Sequence, residues 1–197
     1  MEILLINPPQ IPIQDFNTLT AIKKGYPAYP PNGLGHLMSS LKEHGRNDLE
    51  LYDCYLEGML KIVNKETDQV GIFMELLEEK LRAVTDVKVI GLTIMFSSLF
   101  ENVGASLKLI REIHPEATII VGGVHATMAS KSLYQFDEID FILSYEAEDT
   151  FPQFLDYHLD GKGTKEEIQG LHYRTNGKFV ANPGSNVTGR RTNFEEL

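Results

Sequence analysis

The 197-residue sequence contains a single cysteine, Cys54. One thiol cannot form a disulfide within the chain, and neither a zinc finger nor an iron–sulfur cluster can be assembled from it. The sequence therefore excludes such sites within this chain and favours a reducing, cytoplasmic setting. A buried or edge thiol is the expected role for Cys54.

Basic charge is also scarce. The chain carries 18 Lys and Arg residues against 28 Asp and Glu residues, which gives a formal net charge of -10. The basic residues form no cluster larger than an adjacent pair, such as Lys23-Lys24 or Arg190-Arg191. A nucleic acid or an anionic membrane is therefore not an expected partner, whereas a small molecule or another protein is.

Long apolar runs are absent as well. The opening segment MEILLINPP is too short for the apolar region of a signal peptide, and no later run approaches membrane-spanning length. The sequence therefore predicts neither secretion nor a membrane anchor, and we expect a cytoplasmic protein.

What the sequence does contain is an alternation of two patterns. Short apolar runs rich in β-branched residues predict buried strands at 3–6, 49–52, 87–93, 118–121 and 141–143. Segments with helical spacing lie between them, including one closed by Gly45 and one that stops before Pro115. The uncertain stretch 55–85 predicts a shorter helix followed by a longer one.

This alternation predicts an α/β fold, because parallel strands need helical crossovers. For five strands we expect a flavodoxin-like, doubly wound parallel sheet in the order 2-1-3-4-5, with helices on both faces. Asn176-Gly177 lies between two strand-like arms and predicts a tight C-terminal β-hairpin. The predicted organisation is a domain over 1–160, a hairpin extension over 161–183, and a linker or tail over 184–197.

Ligands of such a sheet bind beyond the carboxyl ends of the strands, where the strand order reverses. Gly122-Gly123 follows the fourth strand and permits either close approach of a phosphate-bearing ligand or simply a tight turn. Thr93 ends the third strand and is either a ligand contact or an ordinary strand-end residue. Pro8 and Pro9 either stiffen the first loop or only end the strand.

Five segments together resemble one family: LLINPP, PPNGLGHLMSSLKEHG, DVKVIGLTIMFSS, IIVGGVHATM and IDFILSYEAEDT. In this order they are similar to the cobalamin-binding domain that precedes the catalytic barrel of cobalamin-dependent radical SAM enzymes. The resemblance runs from Met1 to about Asp156, and the Tyr173 to Val180 hairpin is also typical of the family.

The resemblance implies a cobalamin site in which the nucleotide tail of the cofactor is buried in the domain. The implied cofactor-binding residues lie at the tips of four strands: Asn7, Pro8, Pro9, Thr93, Met95, Ser97, Ser98, Gly122, Gly123, His125, Ala126, Thr127, Tyr145 and Glu146. The family's Gly-Glu-Gly-Glu stretch appears here as Tyr145-Glu146-Ala147-Glu148, so both glycines are replaced. Glu146 and Glu148 either bind ligand hydroxyls or begin the last helix.

The resemblance also implies a separate catalytic partner. The family's C-x-x-x-C-x-x-C motif needs three cysteines, so S-adenosylmethionine and a [4Fe–4S] cluster would belong to a radical SAM domain in cis or in trans. The parent reaction would then be methyl transfer or a related radical transformation. No catalytic residue is predicted in this chain.

The segment DYHLDG, 156–161, matches the D-x-H-x-x-G signature in which a histidine binds cobalt. The cobalt-binding histidine of that family follows the first strand, whereas His158 ends the helix after the fifth strand, at the opposite edge of the sheet. We therefore expect the match to be accidental, because a motif counts only in its structural context. The resemblance implies "base-off, His-off" binding, with neither the nucleotide base nor a histidine on cobalt.

Other sites on the same fold fit the sequence less well. An FMN module needs a hydroxyl-rich loop after the first strand, a receiver domain needs acidic residues there, and a dinucleotide site needs Gly-x-Gly-x-x-Gly. The remaining alternative is a docking module that keeps the fold and binds no cofactor. The replacements at Tyr145 and Ala147 are its main support.

Overall fold

The computed structural model of the chain describes residues 1–9, 16–24, 30–97 and 100–184. Seven strands and seven helices alternate through most of the described chain. The strands are β1 Ile3–Asn7, β2 Leu49–Asp53, β3 Val89–Thr93, β4 Thr118–Gly122, β5 Phe141–Leu143, β6 Leu171–Thr175 and β7 Lys178–Ala181. The helices are α1 Thr18–Lys24, α2 Asn32–Glu43, α3 Cys54–Val63, α4 Ile72–Ala83, α5 Phe100–Ile113, α6 Val124–Leu133 and α7 Thr150–Asp160, and a short 3-10 helix spans Lys165–Glu167.

The strands form one sheet in the order β2-β1-β3-β4-β5-β6-β7. The first five are parallel in the predicted order 2-1-3-4-5, which confirms the flavodoxin-like topology. The predicted hairpin forms β6 and β7, with Asn176 and Gly177 at positive φ in its two-residue turn. The hairpin continues the parallel sheet, because β6 pairs antiparallel with β5.

Helices cover both faces of the sheet, as predicted. On one face, α2 and α7 pack on alternate residues of the strands, including Leu5, Val89 and Ile120. On the other face, the residues between them, such as Ile6 and Ile90, pack against α3, α4 and α5. Because strand side chains alternate between faces, each parallel strand contributes to two separate apolar cores.

The segment 55–85 contains two helices, α3 and α4, as the spacing predicts, although α4 has only 12 residues. Cys54 begins α3 as a buried thiol whose Sγ donates to the backbone oxygen of Phe73 at 3.0 Å. Burial raises the pKa of Cys54 to about 12. The sequence did not predict α1, a seven-residue helix. No helix in the described part of the chain is long and apolar enough to span a membrane.

Candidate ligand-binding site

A cavity of about 440 Å³ opens at the carboxyl edge of the sheet, between the sheet and helices α2 and α7. It lies at the tips of β3, β4 and β5, next to the point where the strand order reverses between β1 and β3. Its walls are formed by Leu5, Gly33, Leu34, Leu37, Gly91, Leu92, Thr93, Met95, Ile120, Gly122, Gly123, Val124, Thr127, Met128, Leu143, Tyr145, Glu146, Ala147, Glu148 and Phe151.

The floor of the cavity is a row of three neighbouring strand residues. Gly91 in β3 pairs with Leu5 of β1 on one side and with Ile120 of β4 on the other. A Cβ built on Gly91 would lie 2.8 Å from Leu5 Cδ2 and 3.9 Å from Phe151 Cζ. The missing side chain at Gly91 therefore keeps open the space between the sheet and α7.

The turn after β4 forms one wall, and its geometry requires glycine. Gly123 has a φ of 99°, and a Cβ there would lie 2.7 Å from the Ile94 carbonyl oxygen and from Thr93 Oγ1. The backbone N–H of Ile94 donates to Gly122 at 2.9 Å, and that of His125 donates to Ile94 at 3.0 Å. The paired glycines thus hold the tips of β3 and β4 together at the rim.

Tyr145 follows β5 and occupies the position of the first glycine in the family stretch. Its φ is 71°, in the left-handed region that favours glycine. Its backbone N–H donates to Thr127 Oγ1 at 2.7 Å, and the Thr127 hydroxyl donates to the Gly123 carbonyl at 3.3 Å. The ring packs beside the backbone of Gly170 and Gly184. The replacement at Tyr145 therefore keeps a glycine-like backbone and leaves the cavity open.

His125 is buried at the start of α6 and does not line the cavity. Its Nδ1 lies 2.8 Å from Ser97 Oγ, and its Nε2 lies 2.8 Å from Ser132 Oγ. Because Ser132 Oγ donates to the Ala129 carbonyl, it accepts from His125, which places the proton of the neutral ring on Nε2. Burial lowers the pKa of His125 and so favours this neutral form.

The predicted site residues divide into three groups. Those that line the cavity are Thr93, Met95, Gly122, Gly123, Thr127, Tyr145 and Glu146. Those that lie at the same edge without lining it are Asn7, Pro8, Pro9, Ser97, His125 and Ala126. Of these, Asn7 donates to Asp53 Oδ1 at 2.8 Å and joins the tips of β1 and β2. Ser98 lies outside the described residues.

The prediction from the sequence missed most of the apolar wall. The missed residues are Leu5, Gly33, Leu34, Leu37, Gly91, Leu92, Ile120, Val124, Met128, Leu143, Ala147 and Phe151. Glu148, for which the sequence left a ligand contact and a helix start open, also lines the cavity. In the sequence, the apolar residues among the missed ones look like ordinary core positions of strands and helices. Gly91 carried a usable signal, because an isolated glycine inside an apolar strand often marks the close approach of a ligand or backbone.

His158 lies far from the cavity, at the opposite edge of the sheet. Its Nε2 is 2.7 Å from Oγ1 of Thr118, the first residue of β4. Its ring stacks on Phe154 with the centroids 5.3 Å apart. The DYHLDG segment therefore forms the C-terminal end of α7, and Gly161 ends the helix at a φ of 67°.

The chain has a flavodoxin-like sheet with an apolar cavity next to its switch point, and Gly91 lies on the floor of that cavity. These features define a cofactor- or nucleotide-binding α/β domain. A family model described as the B12 binding domain matches residues 22–155. The chain belongs to this family.

Three similar proteins of known activity are longer than this chain. A cytidylyl-2-hydroxyethylphosphonate methyltransferase from Streptomyces wedmorensis is 27% identical over 157 residues, which are 78% of this chain and 29% of that protein. The radical S-adenosylmethionine methyltransferase TsrM from Kitasatospora setae superposes with a TM-score of 0.67 at 17% identity, over 92% of this chain and 30% of TsrM. The cobalamin-dependent S-adenosylmethionine radical enzyme OxsB, with aqua-cobalamin and S-adenosylmethionine bound, superposes with a TM-score of 0.65 at 20% identity, over 96% of this chain and 23% of OxsB. The chain thus spans less than a third of each.

Proposed function

We propose that this chain is the cobalamin-holding module of a radical SAM methyltransferase or a related enzyme. In this proposal the nucleotide tail of the cofactor enters the cavity between the sheet and helices α2 and α7. The corrin ring stays outside, over the carboxyl edge of the sheet. The observation that carries the proposal is an open cavity at the switch point of a B12-binding domain.

The residues present fit such a tail. A volume of about 440 Å³ lies within the range of about 300–1,000 Å³ that suits a small ligand. The floor around Gly91 is apolar and suits a flat aromatic base, whereas the hydroxyls of Thr93 and Thr127 stand nearer the rim. A docking module that had lost its cofactor would be expected to fill this space with its own side chains, and the space is open.

The base-off, His-off mode is part of the proposal. A base held in the cavity cannot reach a cobalt held above the rim. His125 is hydrogen-bonded to Ser97 and Ser132, and His158 lies at the opposite edge of the sheet. A residue of the loops 7–13 or 95–99, of which 10–13 and 98–99 lie outside the described residues, or a water molecule, would then be the candidate for the lower side of the metal.

The catalytic chemistry would belong to a separate domain. Cobalamin, when bound, supplies a cobalt centre that can accept and donate a methyl group. This chain would hold and orient the cofactor, while S-adenosylmethionine and the [4Fe–4S] cluster would bind to a radical SAM domain in cis or in trans. The relatives support this division. The cytidylyl-2-hydroxyethylphosphonate methyltransferase and TsrM are methyltransferases, and TsrM and OxsB are described as S-adenosylmethionine radical enzymes.

Two glycines of α2 offer a matched test of the tail site. A Cβ on Gly33 or on Gly35 would meet nothing within 4 Å, but Gly33 lines the cavity and Gly35 does not. We expect Gly33→Leu to weaken cobalamin binding by about tenfold or more, because a ligand that cannot fit loses buried apolar contact. Gly35→Leu should bind like the unmodified chain.

The measurement is equilibrium dialysis against hydroxocobalamin, read by visible absorbance, with circular dichroism to confirm that both variants are folded. Equal weakening by both substitutions would remove the cavity from the proposal. A folded unmodified chain that retains no corrinoid would contradict the function itself.

A further inference from the structure

The cavity differs in polarity between its rim and its floor. Among the described lining residues, the polar side chains are Thr93, Thr127, Tyr145, Glu146 and Glu148, all at or beyond the ends of strands β3 and β5 or in α6. The floor below them is built from glycine, leucine, isoleucine and phenylalanine. We propose that the site selects the lower base of the corrinoid, and that it takes a benzimidazole-type base in preference to a purine base.

The strand register sets the depth of the apolar zone. Thr93 pairs with Gly122 at the strand ends, whereas Gly91 pairs with Ile120 two residues earlier. A strand rises about 3.3 Å per residue, so the row that contains Gly91 lies roughly 6–7 Å below the row that contains Thr93. The distance is comparable with the width of an aromatic ring, so a base that reaches Gly91 has its outer ring below the hydroxyls.

The helices opposite this row are equally apolar. Leu34 and Leu37 face it from α2, and Phe151 faces it from α7. The backbone groups of the strands are already paired within the sheet. The floor therefore offers apolar contact and no side-chain donor or acceptor among the described lining residues.

The two base classes differ at the ring that would occupy this floor. The outer ring of dimethylbenzimidazole, the base of cobalamin, carries methyl groups and no nitrogen, whereas the corresponding ring of adenine carries two ring nitrogens and an amino group. A polar group buried without a partner loses its hydrogen bonds to water, and each tenfold change in affinity corresponds to about 1.4 kcal/mol. We expect the adenine form to bind at least about tenfold more weakly.

The inference rests on the proposed tail site, and its test uses cobalamin, its adenine analogue pseudocobalamin, and cobinamide, which has no nucleotide tail. All three are supplied to the full chain as dicyano forms in excess cyanide. Cyanide displaces the base from cobalt in both tailed corrinoids, so the dissociation constants compare the bases rather than their affinity for the metal. The expected order of affinity is cobalamin, then pseudocobalamin, then cobinamide.

Substitutions at Gly91 test whether the nucleotide tail reaches the floor of the cavity. Gly91→Ala places a methyl group 2.8 Å from the flexible end of Leu5, and Gly91→Val fills more of the space. We expect the advantage of cobalamin over cobinamide to shrink progressively through this series, with cobinamide binding unchanged. Gly35→Ala serves as the control, and thermal unfolding shows whether each variant is folded. If Gly91→Val does not fold, the affinities of Gly91→Ala for cobalamin and cobinamide still show whether the tail reaches the floor.

The possible outcomes separate the inference from the proposed function. Equal affinity for cobalamin and pseudocobalamin overturns the selectivity while the tail site stands. Equal affinity for all three corrinoids overturns the tail site together with the selectivity. Failure of the folded chain to bind any of them contradicts the proposed function.

Discussion

Tyr145 shows at the scale of one residue how the chain tolerates a departure from its family. A residue with a Cβ in the left-handed region costs about 1–2 kcal/mol, and Tyr145 adopts this conformation with a φ of 71°. The ring packs beside Gly170 and Gly184. The sequence revealed the replacement, whereas the glycine-like backbone and the hydrogen bond from Tyr145 N–H to Thr127 are visible only in the structure.

Two substitutions at this position measure the backbone cost. Tyr145→Gly and Tyr145→Ala both remove the ring, so the difference between them reports the conformation alone. We expect the glycine variant to have the higher free energy of unfolding, by about 1 kcal/mol. Urea denaturation followed by circular dichroism provides the comparison. An alanine variant as stable as the glycine variant would show that the backbone is not strained here.

At the scale of elements, the hairpin is tied to the site by a buried chain of hydrogen bonds. Tyr134 Oη lies 2.9 Å from His172 Nδ1, and His172 Nε2 lies 2.9 Å from Ser144 Oγ. Ser144 Oγ donates to the Ala126 carbonyl at 2.9 Å, so it accepts from His172. The neutral ring of His172 therefore connects β6 to β5 and to α6, one residue before Tyr145 and Thr127.

This arrangement gives the hairpin a pH-dependent contribution to stability. Burial lowers the pKa of His172 from its usual 6.5, so the unfolded chain takes up a proton that the folded chain resists. Stability from this group is present above pH 6.5 and is lost as the pH falls below it.

His172→Gln keeps a donor and an acceptor but does not titrate. Between pH 7.5 and 5.5 we expect the unmodified chain to lose about 1 kcal/mol more than this variant, since each histidine contributes at most about 1.4 kcal/mol per pH unit. Urea denaturation at the two pH values measures both losses. Burial also lowers the pKa values of His125 and His158. These two residues are present in both proteins, so their contributions cancel in the difference between the two stability losses. Identical losses would exclude His172 as the source.

The elements themselves were predictable to different degrees. The five parallel strands and the turn at Asn176-Gly177 follow from β-branched runs and from turn chemistry, which are local signals. The pairing of β6 with β5 does not, because it depends on contacts between residues about 30 positions apart, such as His172 and Ser144. The helix α1 has only seven residues, too short for a clear period in the sequence.

At the scale of the whole molecule, the topology predicted the edge of the sheet at which the cavity lies but not the depth of the cavity. The order 2-1-3-4-5 places the crevice at the ends of β1 and β3, and the paired glycines mark its rim. The floor depends on which apolar residues face each other across the sheet and helices, and Leu34, Ile120 and Phe151 look like ordinary core positions in the sequence. Family membership then assigns the cavity to a corrinoid domain.

The most direct test of the account is the electron paramagnetic resonance spectrum of the chain loaded with cobalamin and reduced to the Co(II) state. A tail held in the cavity keeps its nitrogen away from cobalt, so we expect a retained corrinoid whose cobalt lines show no splitting from an axial nitrogen. A spectrum with nitrogen splitting, from the base or from a histidine, would contradict it.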